Sequence, residues 1–131
     1  MKYLLLIYAE EKDLHEDYRR DCYVESAALA RDLHARGKFI TASPLQPTAT
    51  AKSVRVRDGK PLVTDGPFAE TREQLGGFYL IDAEDLDEAI AVAARVPVAR
   101  VGTIEIRPVM EIPGLPTPRE QGAPAGAGSR G

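Results

Sequence analysis

Cysteine is nearly absent from this chain. Cys22 is the single one in 131 residues, which excludes an internal disulfide framework and points to a reducing, cytoplasmic setting. Histidine is almost as scarce: His15 and His34 stand apart from each other and from Cys22, leaving little material for a transition-metal site, so no metal is expected. No Walker or Rossmann glycine pattern is present, and the Gly76-Gly77 pair is too short to cradle a phosphate, so no cofactor is expected. The hydrophobic runs, Leu4 to Ile7 with its neighbours Tyr3, Tyr8 and Ala9 being the longest, fall far short of the roughly 20 residues that span a bilayer. The first residues form a strand-like segment broken by Glu10, Glu11, Lys12 and Asp13, unlike a secretory leader. Nor is there a basic surplus: 17 Lys and Arg face 20 Asp and Glu, a net charge of −3. Neither a nucleic-acid partner nor a membrane is therefore expected.

What is there fits one folded domain. The length is close to the commonest domain size. A content of 44% hydrophobic and 28% charged residues excludes wholesale disorder. The stretch from Ile112 to Gly131 holds four Pro and five Gly and too little apolar surface to offset an ordering entropy of about 1–2 kcal/mol per residue. The expectation is a domain over 1–112 and a disordered tail over 113–131.

Lys2 to Tyr8 (KYLLLIY) reads as a strand apolar on both faces. A helix is expected over about Asp13 to Arg36, with Tyr18, Cys22, Ser26, Leu29, Ala30 and Leu33 along one stripe and Gly37 at its stop. Phe39 to Ala42 suggests a short strand ended by Ser43-Pro44. Ser53 to Arg57 alternates, so Val54 and Val56 should face a core. Asp58-Gly59 signals a tight hairpin returning through Pro61 to Thr64. Gly77 to Asp82 is a second doubly apolar strand. A helix should follow from Asp85, capped through Glu88 and marked by Leu86, Ile90 and Ala93. A last strand runs over about Thr103 to Met110.

With the hairpin set aside, the order is βαββαβ. The expected class is α+β, ferredoxin-like, with an antiparallel sheet and both helices on one face. The doubly apolar strands then need cover on their second face, and a bare apolar face is not tolerated on a monomer. A second copy supplies that cover most simply, so a homodimer packed sheet to sheet is expected, a dimeric α/β barrel.

The segment from Thr64 to Gln74 (TDGPFAETREQ) carries three carboxylates and a guanidinium around an Asp-Gly-Pro turn. Such a turn can fix Asp65, and a fixed carboxylate near an apolar sheet is raw material for a general base. Asp65 capping its own turn is the plainer alternative. Tyr8, Ser43, Tyr79 and Arg107 are candidate ligand-lining residues, with Arg55 or Arg107 able to hold a carboxylate in a bidentate contact. His34, near the end of the first helix, suits its dipole, and Cys22 suits a small buried hydrophobe.

The opening KYLLLIY, the VRVRDGK segment, the run TDGPFAETREQLGGFYLID and the closing IEIRPVM resemble the DGPF-domain branch of the YCII-related family over nearly all of residues 1–110. The resemblance implies the dimeric ferredoxin-like fold, kinship with lactone-processing dehalogenases and isomerases, and an accessory role beside extracytoplasmic-function sigma factors. It also implies a His–Asp pair in enzyme-like members. Asp65 matches the signature aspartate, while the histidine of the first helix falls at Ser26, where this chain has no imidazole. Two functions follow as expectations. One is a small-molecule-binding or accessory protein, with a small organic acid as ligand. The other is an enzyme abstracting a proton from, or eliminating on, a small acid or lactone, with Asp65 as its base.

Overall fold

The computed structural model describes residues 1–116. Beyond its first four residues, the expected tail 113–131 lies outside that range. Six strands and two α-helices form in the order β1 (Lys2–Ala9), α1 (Glu16–Ala35), β2 (Phe39–Pro44), β3 (Lys52–Arg57), β4 (Lys60–Asp65), β5 (Gln74–Asp82), α2 (Leu86–Arg95) and β6 (Thr103–Pro108). The main sheet has the order β2-β5-β1-β6, all neighbours antiparallel, and β3 and β4 make a separate two-stranded ribbon. This is the ferredoxin-like arrangement inserted with a hairpin, so the α+β class holds. Sheet edges fall on β2 and β6, whose last residues are Pro44 and Pro108.

One face of the sheet makes the core. Tyr3 and Leu5 of β1, with Tyr79 and Ile81 of β5, pack against Leu29 and Leu33 of α1 and Ala89, Val92 and Ala93 of α2. Leu5, Leu33 and Ile81 are fully buried. Register partners across a sheet share a face. Leu4, Leu6 and Tyr8 therefore line the opposite face with Phe78, Leu80, Glu105 and Arg107. The apolar members there are half-buried, and α1 and α2 both pack on the other face.

Three local expectations change. The α2 stripe is Ala89, Val92 and Ala93, whereas Leu86 and Ile90 are about half exposed, at 49% and 48%. Small side chains let α2 lie close to the sheet, and the larger ones are turned outward. Its cap forms as expected: Asp85 Oδ1 accepts from the Glu88 amide at 2.9 Å, and Glu88 Oε1 accepts from the Glu84 amide at 2.7 Å. The first α-helix begins at Glu16 rather than Asp13, because Glu11–Asp13 form a 3-10 turn ahead of it. The ribbon ends in the expected tight turn, with Asp58 at φ 51° and Gly59 at φ 74°, the left-handed pair of a type I′ hairpin. Val54 and Val56 do not meet a core, since 62% and 61% of their surface stays exposed.

A cleft between the first helix and the sheet

α1 presents Cys22, Ser26, Ala27 and Ala30 toward β2 and β5, all of them small. Where Leu29 and Leu33 fill the interface on one side of the helix, these residues leave a gap. The result is a cleft of about 280 Å³. Its far wall includes Phe39, Ala42 and Ser43 of β2 and Gly77 to Tyr79 of β5. A smaller recess adjoins it through shared Ile7, Cys22, Tyr23 and Gly76, and reaches Glu11, Arg19 and Gln74.

Polar groups in the main cleft are few. The Tyr79 hydroxyl donates to the Ser26 carbonyl at 2.6 Å, and burial pushes its phenol above the ordinary range. Burial also pushes the Cys22 thiol up, so it is a neutral thiol near pH 7 and a poor nucleophile. The Ser43 hydroxyl donates to the Pro44 carbonyl at 3.2 Å on the exposed rim. No Asp, Glu or His lines the main cleft.

The recess is framed by a clasp. Glu11 accepts from the Thr48 amide at 2.9 Å and the Thr48 hydroxyl at 2.7 Å, while its own amide donates to Gln74 Oε1 at 3.0 Å. Gln74 Nε2 in turn donates to the Thr71 and Arg72 carbonyls. These bonds fasten the turn at Thr48–Thr50 and the approach to β5 onto the end of β1.

The candidate residues separate into three places. Tyr79 and Ser43 line the cleft. Tyr8 and Arg107 lie on the opposite sheet face, where Arg107 Nε meets Glu105 Oε2 at 2.6 Å. Asp65 ends β4 on the ribbon, 86% exposed and paired with Lys52 across the strands. No hydrogen bond from its own turn engages that carboxylate; instead Gly66, at φ 94°, donates to the Ala51 carbonyl and accepts from the Ser53 hydroxyl. Arg55 sits 4.6 Å above the Phe68 ring beside it. Ser26, where the resemblance places the histidine of enzyme-like members, borders the cleft. His34 is exposed, its ring edge toward Phe39 at 6.4 Å, and His15 precedes α1 without capping it. Among the described residues no group of three or more His, Cys, Asp or Glu could hold a metal, and no helix is long and apolar enough to cross a membrane.

A protein of Rhizobium meliloti (strain 1021), itself uncharacterised, is 39% identical over 118 residues, spanning 83% of this chain and 92% of the relative. The solved 5-chloro-2-hydroxyhydroquinone dehydrochlorinase of Burkholderia phenoliruptrix AC1100, in complex with 2,5-dihydroxybenzoquinone, superposes with a TM-score of 0.54 at 17% identity. That match covers 84% of this chain and 94% of the other, a likeness of fold. The model of the YCII-related domain matches residues 1–113, and the chain belongs to that family.

Proposed function

We propose that this protein is a small-molecule-binding member of its family that acts as a homodimer in the cytoplasm, with the ligand seated between α1 and the β2–β5 side of the sheet. The cleft itself carries this reading. Its volume of about 280 Å³ is close to the lower end of the usual ligand-pocket range, about 300–1,000 Å³. Its lining is mostly apolar, with Tyr23, Ser26, Ser43 and Tyr79 as the few residues that carry a hydroxyl. That lining suits a small, flat, largely apolar molecule carrying one or two oxygens, such as a phenolic or a short organic acid. The ring ligand of the dehydrochlorinase with the same fold supports the reading by analogy. The uncovered apolar face of the sheet supports the dimer.

Binding is favoured over catalysis because the cleft of one subunit holds no general base. One observation favours an enzyme as the second reading: Asp65, ion-paired with Lys52, is an exposed carboxylate on the β3–β4 ribbon, accessible to a substrate held by another copy. A role beside a sigma factor belongs to the first reading and predicts co-purification with one.

The test is a thermal-shift screen of the full chain, Tyr79→Phe and Asp65→Asn against phenolics, small carboxylic acids and lactones. A ligand at 100 times its Kd stabilises the fold by roughly 2.7 kcal/mol. A hit weakened by Tyr79→Phe and kept by Asp65→Asn supports the cleft-binding reading. A hit consumed by wild type but not by Asp65→Asn replaces it with the enzyme. Absence of any shift across the panel counts against both.

A further inference from the structure

The β3–β4 ribbon is two-faced. By its register, Val54 stands beside Val63 and Val56 beside Pro61 on one face, while Ser53, Arg55, Arg57, Lys60, Leu62 and Thr64 share the other. An apolar face alternating with a basic one marks a strand pair with a buried side. Yet Val54, Val56 and Val63 keep 62%, 61% and 62% of their surface exposed. An isolated two-stranded hairpin is marginal in water and needs something to pack on.

We infer that this ribbon is an intersubunit arm whose Val54–Val56–Pro61–Val63 face packs on a second copy of the chain. The inference rests on the homodimer proposed above and names the surface that completes it.

Area and charge identify the occupant. The open face of the four-stranded sheet measures about 20 by 20 Å at strand spacings of about 4.8 Å and rises of about 3.3 Å, a footprint of roughly 400 Å². A stable interface needs roughly 800 Å² per partner, so the sheet face alone falls short by about half. The ribbon offers about 200 Å² per face on the same dimensions. In a two-fold dimer every subunit both gives an arm and receives one, which supplies the missing half. The ribbon over 52–65 has four cations against two carboxylates, a net charge of +2. The rest of residues 1–116 has 11 cations against 17 carboxylates, a net charge of −6. A basic arm and an acidic body are complementary between two copies.

The experiment compares the full-length wild type with Val54→Lys/Val63→Lys by sedimentation velocity across a dilution series, with circular dichroism to confirm folding. Both positions are mostly exposed within one chain, so the double variant should fold. The expected result is a wild-type dimer and at least a 100-fold rise in its dissociation constant in the variant. A dimer of unchanged strength in the variant overturns the arm and leaves a sheet-to-sheet dimer standing; a monomeric wild type at 100 µM overturns both. Amide exchange of residues 52–65 in the wild type gives an independent reading that does not depend on the variant folding. Protection that grows with protein concentration supports the arm, and protection independent of concentration overturns it.

Discussion

Three glycines without unusual backbone angles provide a graded test of how tightly the sheet is assembled. A β-carbon built on Gly102 lies 2.1 Å from the Tyr8 carbonyl oxygen and 3.0 Å from the Ala9 β-carbon. The obstacle is the backbone of β1, a central strand, so no side chain can swing away. On Gly77 the added carbon meets the Ser43 carbonyl oxygen at 3.0 Å and the Pro44 α-carbon at 3.3 Å. That obstacle is an edge strand, which gives more easily. On Gly76 the one neighbour, the Ile7 carbonyl oxygen, is 3.9 Å away, an ordinary contact. Overpacking costs typically about 1–3 kcal/mol. We expect Gly102→Ala at or above the top of that range and Gly77→Ala near its lower half. Gly76→Ala should be neutral or stabilising by about 0.5 kcal/mol, through a less flexible unfolded chain. With an unfolding entropy of about 2.1 cal/mol/K per residue over roughly 110 residues, each kcal/mol moves Tm by about 4 °C. Thermal unfolding followed by circular dichroism should therefore show Gly102→Ala lowered by at least about 12 °C, Gly77→Ala by about 4–8 °C, and Gly76→Ala within about 2 °C of wild type. A Gly102→Ala protein melting within 2 °C of wild type would refute the close approach of the segment before β6 to β1.

Other expectations follow from packing and charge. Leu33→Ala should cost about 2–5 kcal/mol, whereas Leu86→Ser and Ile90→Ser should each stay within about 0.5 kcal/mol as surface changes; chemical denaturation ranks them, and equal losses would refute the assigned α2 face. Three carboxylates are held below their ordinary range: Glu25 by Arg100, Asp32 by Arg95, and Glu88 by the Glu84 amide and then Lys38. A carboxyl group whose folded pKa is lowered stabilises the fold above its unfolded value, about 4, and loses that contribution as pH falls through the folded one. Tm should thus decline below about pH 4.5, and an Asp32→Asn/Glu25→Gln protein should decline less steeply; identical profiles would show that these pairs contribute nothing. Tyr79→Phe removes the hydroxyl bonded to Ser26 and should cost about 1 kcal/mol in stability, measurable by the same denaturation without any ligand.

Much of the fold is legible in short-range pattern. KYLLLIY becomes β1, Asp58-Gly59 becomes the type I′ turn, and Asp85 with Glu88 caps α2, because each depends on a few adjacent residues. Which face meets a core depends on distant partners, and there the pattern misleads. Leu86 and Ile90 are more hydrophobic than Ala89 and Ala93, yet close helix–sheet packing selects the smaller pair. Alternation in β3 correctly separates the valines from the arginines, but it is silent on whether a single chain supplies their cover. Asp65 attracts notice through its Asp-Gly-Pro setting, and Tyr79 through its strand. Only the sheet order shows that the ribbon stands apart from the main sheet, with Tyr79 on the main sheet and Asp65 on the ribbon. The cleft had one sequence signal, the small residues Cys22, Ser26 and Ala30 along an otherwise leucine-bearing helix. Small residues on a packed stripe mark either close contact or empty space, and sequence alone does not distinguish the two.

The pairing of β1 also governs how the chain comes to be folded. Leu4 lies opposite Leu80 on one side and Arg107 on the other, so the first strand made waits for the last. At synthesis rates of about 5–20 residues per second, the hundred intervening residues take roughly 5–20 seconds. Until β5 emerges, about two-thirds of the way through that interval, a seven-residue segment of high β-propensity, free of proline and carrying one charge, has no partner strand, which is the profile of an aggregation-prone element. Lys2 at its start and Glu10, Glu11, Lys12 and Asp13 just after its end flank it with charge on both sides. Those residues guard the nascent chain, and replacing Lys12 and Asp13, which take no part in the Glu11 clasp, with neutral ones should lower soluble yield while leaving the melting temperature of the folded protein nearly unchanged.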